Sequence, residues 1–191
     1  MSLARAARTA LLVIDVQQGF DDPSWGRRNN LGMETRVAEL LAAWRGGRRP
    51  VLHARHMSTW PGSPLRPGQP GNELKAETAP RPGEPVIEKS VNSCFIGTAL
   101  DEELRGAGIA GLVLAGLTTN HCVSTTARMA GNLGYAVWVV SDATAAFDRT
   151  GPDGAQYPAE LVHAMALSDL HGEFAEVVDT RTLLAGTGRR A

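Results

Sequence analysis

Apolar residues along this chain gather in short runs separated by polar, glycine-rich stretches. Ala10–Val16 (ALLVIDV) is such a run, unbroken until Asp15, and reads as a strand buried on both faces. Pro50–His56, Pro85–Lys89, Ile109–Gly116, Tyr135–Ser141 and Phe174–Asp179 read as further strands, and Tyr135–Ser141 (YAVWVVS) is the most strand-like. Between them the apolar positions return at helical spacing. In Gly32–Trp44 they fall at Met33, Val37, Leu40, Leu41 and Trp44, and Gly46–Gly47 close the segment. Thr98–Arg105, Asn120–Leu133 and Pro158–Leu170 are expected as helices, stopped by Gly106, Gly134 and Gly172, with a short helix at the end of the chain. Ser58–Pro85 holds most of the prolines and little periodicity, so it is expected as a long loop with a helical turn at Glu73–Glu77. Loops of that length in a compact domain are usually functional or mobile. Strands alternating with helices mean βαβ units, a mostly parallel sheet and right-handed crossovers: an α/β fold.

The chain has 191 residues, which makes one domain (1–191, core about 10–179) able to bury roughly 70% of its unfolded surface. With 43% hydrophobic and 20% charged residues it is not a disordered chain. A net charge of −1 leaves no basic excess for a phosphate backbone, so nucleic acid is not an expected partner. Two cysteines, Cys94 and Cys122, make neither a disulfide framework nor a four-cysteine zinc site. No apolar run reaches the ~18 residues of a membrane span, and Asp15 interrupts the signal-like N-terminus, so a cytoplasmic protein is expected. Of the 19 basic residues only Lys75 and Lys89 are lysines.

In parallel sheets ligands bind outside the carboxyl ends of the strands, so the polar residues there are the ones to inspect. They are Asp15 and Gln17; His53, Arg55 and His56; Lys89 and Asn92; the LTTNHC turn ending in Cys122; and Ser141 with Asp142. A thiol in the first turn of a helix feels the positive end of the dipole, which favours thiolate. Packing the helix on the sheet is an equal alternative for Cys122. Asp15 fits a base for that thiol or a turn residue, and Lys89 fits a cation beside both or a solvated strand end paired with Glu88 or Asp101. Asp, Lys and Cys at three strand ends of one sheet form a constellation that none of them makes alone.

The segments VIDVQQGF, EKSVNSCFIGTALDEELRGAGI and LVLAGLTTNHCVSTTARMAGNLGYAVWVVSDATAAFD together resemble the isochorismatase-like cysteine hydrolases, a superfamily with nicotinamidases, N-carbamoylsarcosine amidohydrolases and streptothricin hydrolases. The resemblance implies a single three-layer domain with a six-stranded, mostly parallel sheet and helices on both faces. It implies Asp15 as acid/base, Lys89 as its cationic partner, Cys122 as nucleophile, a cis peptide at Leu117–Thr118, and an oxyanion hole from the Thr118 and Cys122 N–H groups. It also implies a dimer or tetramer. Many nicotinamidases hold a metal through an Asp-x-His pair after the second strand. Here that stretch is VLHARHMS, with His53 and His56 on opposite faces and no carboxylate, so neither metal nor other cofactor is expected.

The expected reaction is therefore hydrolysis of a carbon–nitrogen bond (amide, lactam or ureido) of a small molecule through a Cys thioester. Vinyl ether hydrolysis and a non-catalytic binding or thiol-sensing role are the alternatives. Gln17, His56, Asn92 and Thr119 are candidate substrate contacts, and Phe20, Trp25, Trp60 and Phe95 a candidate aromatic wall. For Trp25 and Trp60 the competing reading is that they pin loops or meet another subunit. His53 reads as a core histidine, Cys94 as a packing residue, and His121 as facing away from its neighbour Cys122.

Overall fold

The computed structural model describes residues 8–187. The strands are β1 (Thr9–Ile14), β2 (Val51–His56), β3 (Val86–Lys89), β4 (Gly111–Leu117), β5 (Ala136–Ala145), β6 (Arg149–Thr150), β7 (Gln156–Tyr157) and β8 (Glu176–Val178). The helices are α1 (Met33–Gly46), α2 (Leu100–Gly106), α3 (Ser124–Asn132), α4 (Ala159–Ser168) and α5 (Thr180–Thr187). Six strands pair in parallel in the order β3-β2-β1-β4-β5-β8, the three-layer α/β architecture expected from the sequence.

Strand alternation sets the layers. On β1, Ala10, Leu12 and Ile14 face one core while Leu11 and Val13 face the other. β4 divides likewise, Leu112 and Leu114 against Val113, Ala115 and Leu117. The first core is closed by Leu100 and Leu104 of α2, Ala127 and Ala130 of α3, and Leu170 after α4. The second is closed by Met33, Val37, Leu40, Leu41 and Trp44 of α1 and Leu183 of α5. The helical spacing read in Gly32–Trp44 is thus the buried face of α1.

Some elements differ from the sequence reading. β5 runs on to Ala145, through a small-residue SDATA segment with no strand signature, because it pairs with the end of β4 across a register shift at Leu114/Gly116. The helix expected from Asn120 begins instead as a π-helical turn, Thr119–Val123, and becomes α-helical only at Ser124. The long loop makes helical turns at Pro70–Asn72 and Ala76–Thr78, the second overlapping the end of the Glu73–Glu77 turn expected from the sequence. Its middle is bolted to the end of β1: Gln18 N–H donates to Glu73 O (2.9 Å) and Lys75 N–H to Val16 O (2.9 Å). The buried Lys75 ammonium adds ion pairs to Asp21 (2.5 Å) and Glu34 (2.7 Å). The β6–β7 hairpin was not legible in the sequence, being only two residues a strand.

One glycine fixes how closely β1 and β4 approach at the functional end of the sheet. Gly116 has φ 118°, and a Cβ there would lie 2.0 Å from Ile14 O. Both the backbone conformation and the space exclude a side chain. Gly116→Ala is expected to destabilise the fold by about 3 kcal/mol or more, the sum of strain and overpacking. Urea unfolding against the parent chain measures it, and a loss below ~1 kcal/mol would show that the strands separate easily there.

Candidate active site

Four neighbouring strands deliver the site. In order across the sheet they bring Lys89 from the end of β3, His56 from β2, Asp15 just after β1 and Cys122 after β4. β3 and β1 lie two strand spacings apart, roughly 9–10 Å. The four-carbon stem of Lys89 crosses that gap over the end of β2, where His56 pairs in register with Lys89. The Lys89 ammonium then meets Asp15 Oδ2 at 2.6 Å and His56 Nδ1 at 3.3 Å. Lys89 alternates inward on β3 while Glu88 points out and pairs with Arg55; Asp101 is bound by Arg105 and Tyr135. The solvated-strand-end alternative for Lys89 is therefore excluded.

Asp15 is fully buried and sits at φ 52°, a left-handed conformation that aspartate tolerates better than most residues. Its N–H donates to Ala54 O (3.0 Å) and its carbonyl accepts from Gln17 N–H (2.8 Å), so the chain turns sharply at the strand end. Oδ2 is taken by Lys89, whereas the equally buried Oδ1 has no partner among the described residues. A carboxylate oxygen of Asp15, a ring nitrogen of His56 and Cys122 Sγ lie within 4.8 Å of one another. Those are ligand types a soft divalent ion accepts. The Lys89 ammonium already stands among them, and a second cation would have to displace it.

Cys122 is buried within the π-helical turn, and its thiol faces Asn92 Oδ1 at 3.8 Å. Burial first, and then the Asp15 carboxylate, push its pKa up; Lys89 opposes them. The thiolate that the helix-start position suggested is thus disfavoured at rest, because burial and a neighbouring anion both oppose it. Burial is the strongest single influence on Lys89 and opposes its charge, but Asp15 together with Cys122 and Cys94 holds the ammonium's pKa above its usual value. The Leu117–Thr118 peptide is cis, and Thr118 Oγ1 is buried without a partner among the described residues. Cys94 is fully buried, its thiol pushed up to about 12 by burial and then by Asp15. Its backbone is held by Thr126 and Thr98, a packing role.

Several candidate substrate contacts are committed elsewhere. Gln17 is fully buried, and its amide clamps backbone: Nε2 donates to His56 O (3.1 Å) and Asn72 O (2.9 Å), and Oε1 accepts from His56 N–H (2.9 Å). It neither orients the Asp15 carboxylate nor faces the cleft. Thr119 is also fully buried, with its hydroxyl 2.8 Å from His163 Nδ1 on α4. Phe95 stacks on Tyr135, at the opposite end of β5, instead of walling the site. Phe20 and Trp25 form a triad with Phe147 (centroids 4.9, 5.6 and 6.1 Å apart), and the Trp25 indole N–H donates to Gly19 O (2.9 Å). That pins the loop after β1 to the end of β5. Trp60 stands 72% exposed, so it does not pin its own loop. His53 is the buried histidine expected, its ring on Glu84 (3.1 Å). Half-buried His121 titrates low, first from burial and then from the positive charge of Arg149. Asn72, Phe147 and His163 escaped the sequence reading. None ends an apolar strand, and their partners are distant in sequence.

Comparison with known proteins matches this geometry to one family. A model of the isochorismatase domain matches residues 9–182. The isochorismatase-family protein YrdC of Bacillus subtilis (strain 168) is 42% identical over 177 residues, 93% of this chain and 95% of its own. Streptothricin hydrolase of Streptomyces noursei is 32% identical over 170 residues, 88% of this chain and 61% of its own. Among solved structures, an isochorismatase-family protein from Chromobacterium violaceum superposes with a TM-score of 0.94 at 47% identity, covering 98% of each chain. N-carbamoylsarcosine amidase from Thermoplasma acidophilum superposes at 0.71 with 27% identity, covering 91% of this chain and 96% of its own. With the fold, the strand-end cluster and these likenesses in agreement, the chain belongs to the isochorismatase family of hydrolases.

Proposed function

We propose that this hydrolase cleaves a carbon–nitrogen bond of a small molecule, in an amide, lactam or ureido group, through a thioester on Cys122. One observation carries the reading: a buried carboxylate beside the Cys122 thiol has one oxygen fixed by Lys89 and the other without a partner among the described residues. That second oxygen is suited to accept the thiol proton as sulfur attacks the carbonyl carbon. The oxyanion is taken by the Thr118 and Cys122 N–H groups. Asp15 then returns the proton to the leaving nitrogen, the C–N bond breaks, and the same carboxylate activates the water that hydrolyses the thioester. A neutral resting thiol suits this sequence, because the proton leaves only as the new bond forms. Likeness to an amidase and to streptothricin hydrolase supports an amide-type bond over a vinyl ether.

Incubation with a panel of small amides, ureas and lactams, quenched into acid and read by intact mass, should show a substrate-dependent adduct on Cys122. Cys122→Ser should lose both adduct and turnover. Full activity in that variant, or an adduct on Cys94, would overturn the assignment. Lys89→Arg is expected to fold and lose activity by about 10²-fold or more, since a wider guanidinium forks onto both Asp15 oxygens, including the one needed for the thiol proton. Steady-state rates with a thermal melt as folding control measure this; near-parental turnover would remove Lys89 from the mechanism. Exhaustive chelation should leave activity unchanged, because the ammonium already engages Asp15 and His56, two of the three groups an ion would need. A stoichiometric metal whose removal stops turnover would refute this.

A further inference from the structure

The proposed reaction gives His56 no task, yet the surroundings of this residue are closely specified. Its backbone is held at both ends by buried amides. Its N–H donates to Gln17 Oε1 (2.9 Å), and its carbonyl accepts from Gln17 Nε2 (3.1 Å) and Asn72 Nδ2 (2.9 Å). The ring meets Lys89 Nζ through Nδ1 at 3.3 Å. An ammonium has three donors and no acceptor, so Nδ1 must offer its lone pair. A neutral ring then carries its proton on Nε2, and that N–H has no partner among the described residues. The charged groups facing the ring are Lys89, Asp15 and, when ionised, Cys122. Burial first, and then the Lys89 charge, lower the pKa of His56, so the ring is neutral at neutral pH.

A neutral imidazole whose acceptor is already occupied cannot be a general base. It is a donor, on a partly exposed ring that has a nitrogen within 4.8 Å of the Cys122 sulfur. The geometry points to His56 as a substrate-contacting residue, locked as the Nε2–H tautomer and donating to an acceptor oxygen that flanks the scissile carbonyl. The substrates favoured are amides or ureides bearing a second carbonyl or carboxylate oxygen next to the bond cleaved. This rests on the reading of Cys122 as the site of attack. Gln17 becomes a positioning residue, acting through the His56 backbone.

Two measurements test it. Histidine-selective 15N NMR at pH 7.5, with His56 assigned by the signal lost in His56→Gln, reads the tautomer in the parent chain. The expected result is an unprotonated Nδ1 and a protonated Nε2; the Nδ1–H form or an imidazolium would overturn the proposal. The second uses two neutral, near-isosteric amides, malonamide with a second carbonyl and isovaleramide without one. Each is titrated for protection of Cys122 against iodoacetamide, followed by peptide mass. Malonamide should protect at a concentration about tenfold lower, as one hydrogen bond gives. That preference should vanish in His56→Leu and persist in part in His56→Gln. Equal protection in the parent chain, or a preference that survives His56→Leu, would overturn it. Both readouts are independent of turnover, so a failure of the thioester mechanism would be told apart from a failure of this contact.

Discussion

A buried ion pair governs this structure. Lys89 and Asp15 both have side chains at 0% exposure, and their charges meet at 2.6 Å. Neither charge would survive there alone: removing one partner of such a pair leaves an unpaired charge and costs about 3–5 kcal/mol. The pair therefore dictates what surrounds it. It needs β1 and β3 separated by one strand, so that the lysine stem spans the gap, and β2 supplies that strand with His56 at its end. It needs Asp15 to leave the strand direction, hence the left-handed φ and the tight turn to Gln17. It needs β4 close against β1, where Gly116 removes the Cβ that would collide with Ile14 O.

The long loop after β2 serves the same end. Its backbone enters the sheet margin beside Gln17, Asn72 reaches His56 O and Leu65 O, and Lys75 ties it to Asp21 and Glu34. The segment is tied down by these contacts, and the Asn72 amide reaches the end of β2. Polar groups buried this thoroughly are satisfied by one another, and losing any one would strand its partners. Both lysines of the chain are buried and ion-paired, whereas Arg27, Arg36, Arg105 and Arg128 form their pairs with 41–56% of the side chain exposed. A compact ammonium fits between two carboxylates, or between a carboxylate and an imidazole, where a planar guanidinium would not.

What the sequence made legible follows from how each signal is encoded. Strands covered on both faces are written as continuous apolar runs, so β1 and β4 could be read to within two residues at each end. A polar residue closing such a run is conspicuous, and Asp15 was visible for that reason; Lys89 closes an alternately exposed strand and stood out because lysine is scarce in this chain. Orientation is not encoded this way. Gln17, Thr119 and Phe95 lie within a few residues of the site, yet each turns to a partner dozens of positions away: Asn72, His163 and Tyr135. The extension of β5 through Ser141–Ala145 is likewise a tertiary effect, imposed by pairing with β4 on residues of weak intrinsic preference. The thiol shows the limit most clearly. Helix-start position argued for a low pKa, whereas burial and a neighbouring carboxylate, both invisible in the local sequence, reverse the sign.

That reversal bears on how the site manages charge. At rest the cluster holds one negative group, Asp15, one positive group, Lys89, and a neutral thiol. In the proposed first step the thiol proton passes to Asp15 while negative charge appears on the substrate oxygen. The cluster still holds one negative and one positive charge, and only the position of the negative one has changed. No net charge is created in a medium where creating it would be expensive. A preformed thiolate beside an ionised Asp15 would instead place two anions against one ammonium before substrate arrived. The raised thiol pKa is therefore compatible with catalysis: it keeps the site neutral until a carbonyl is present to receive the charge.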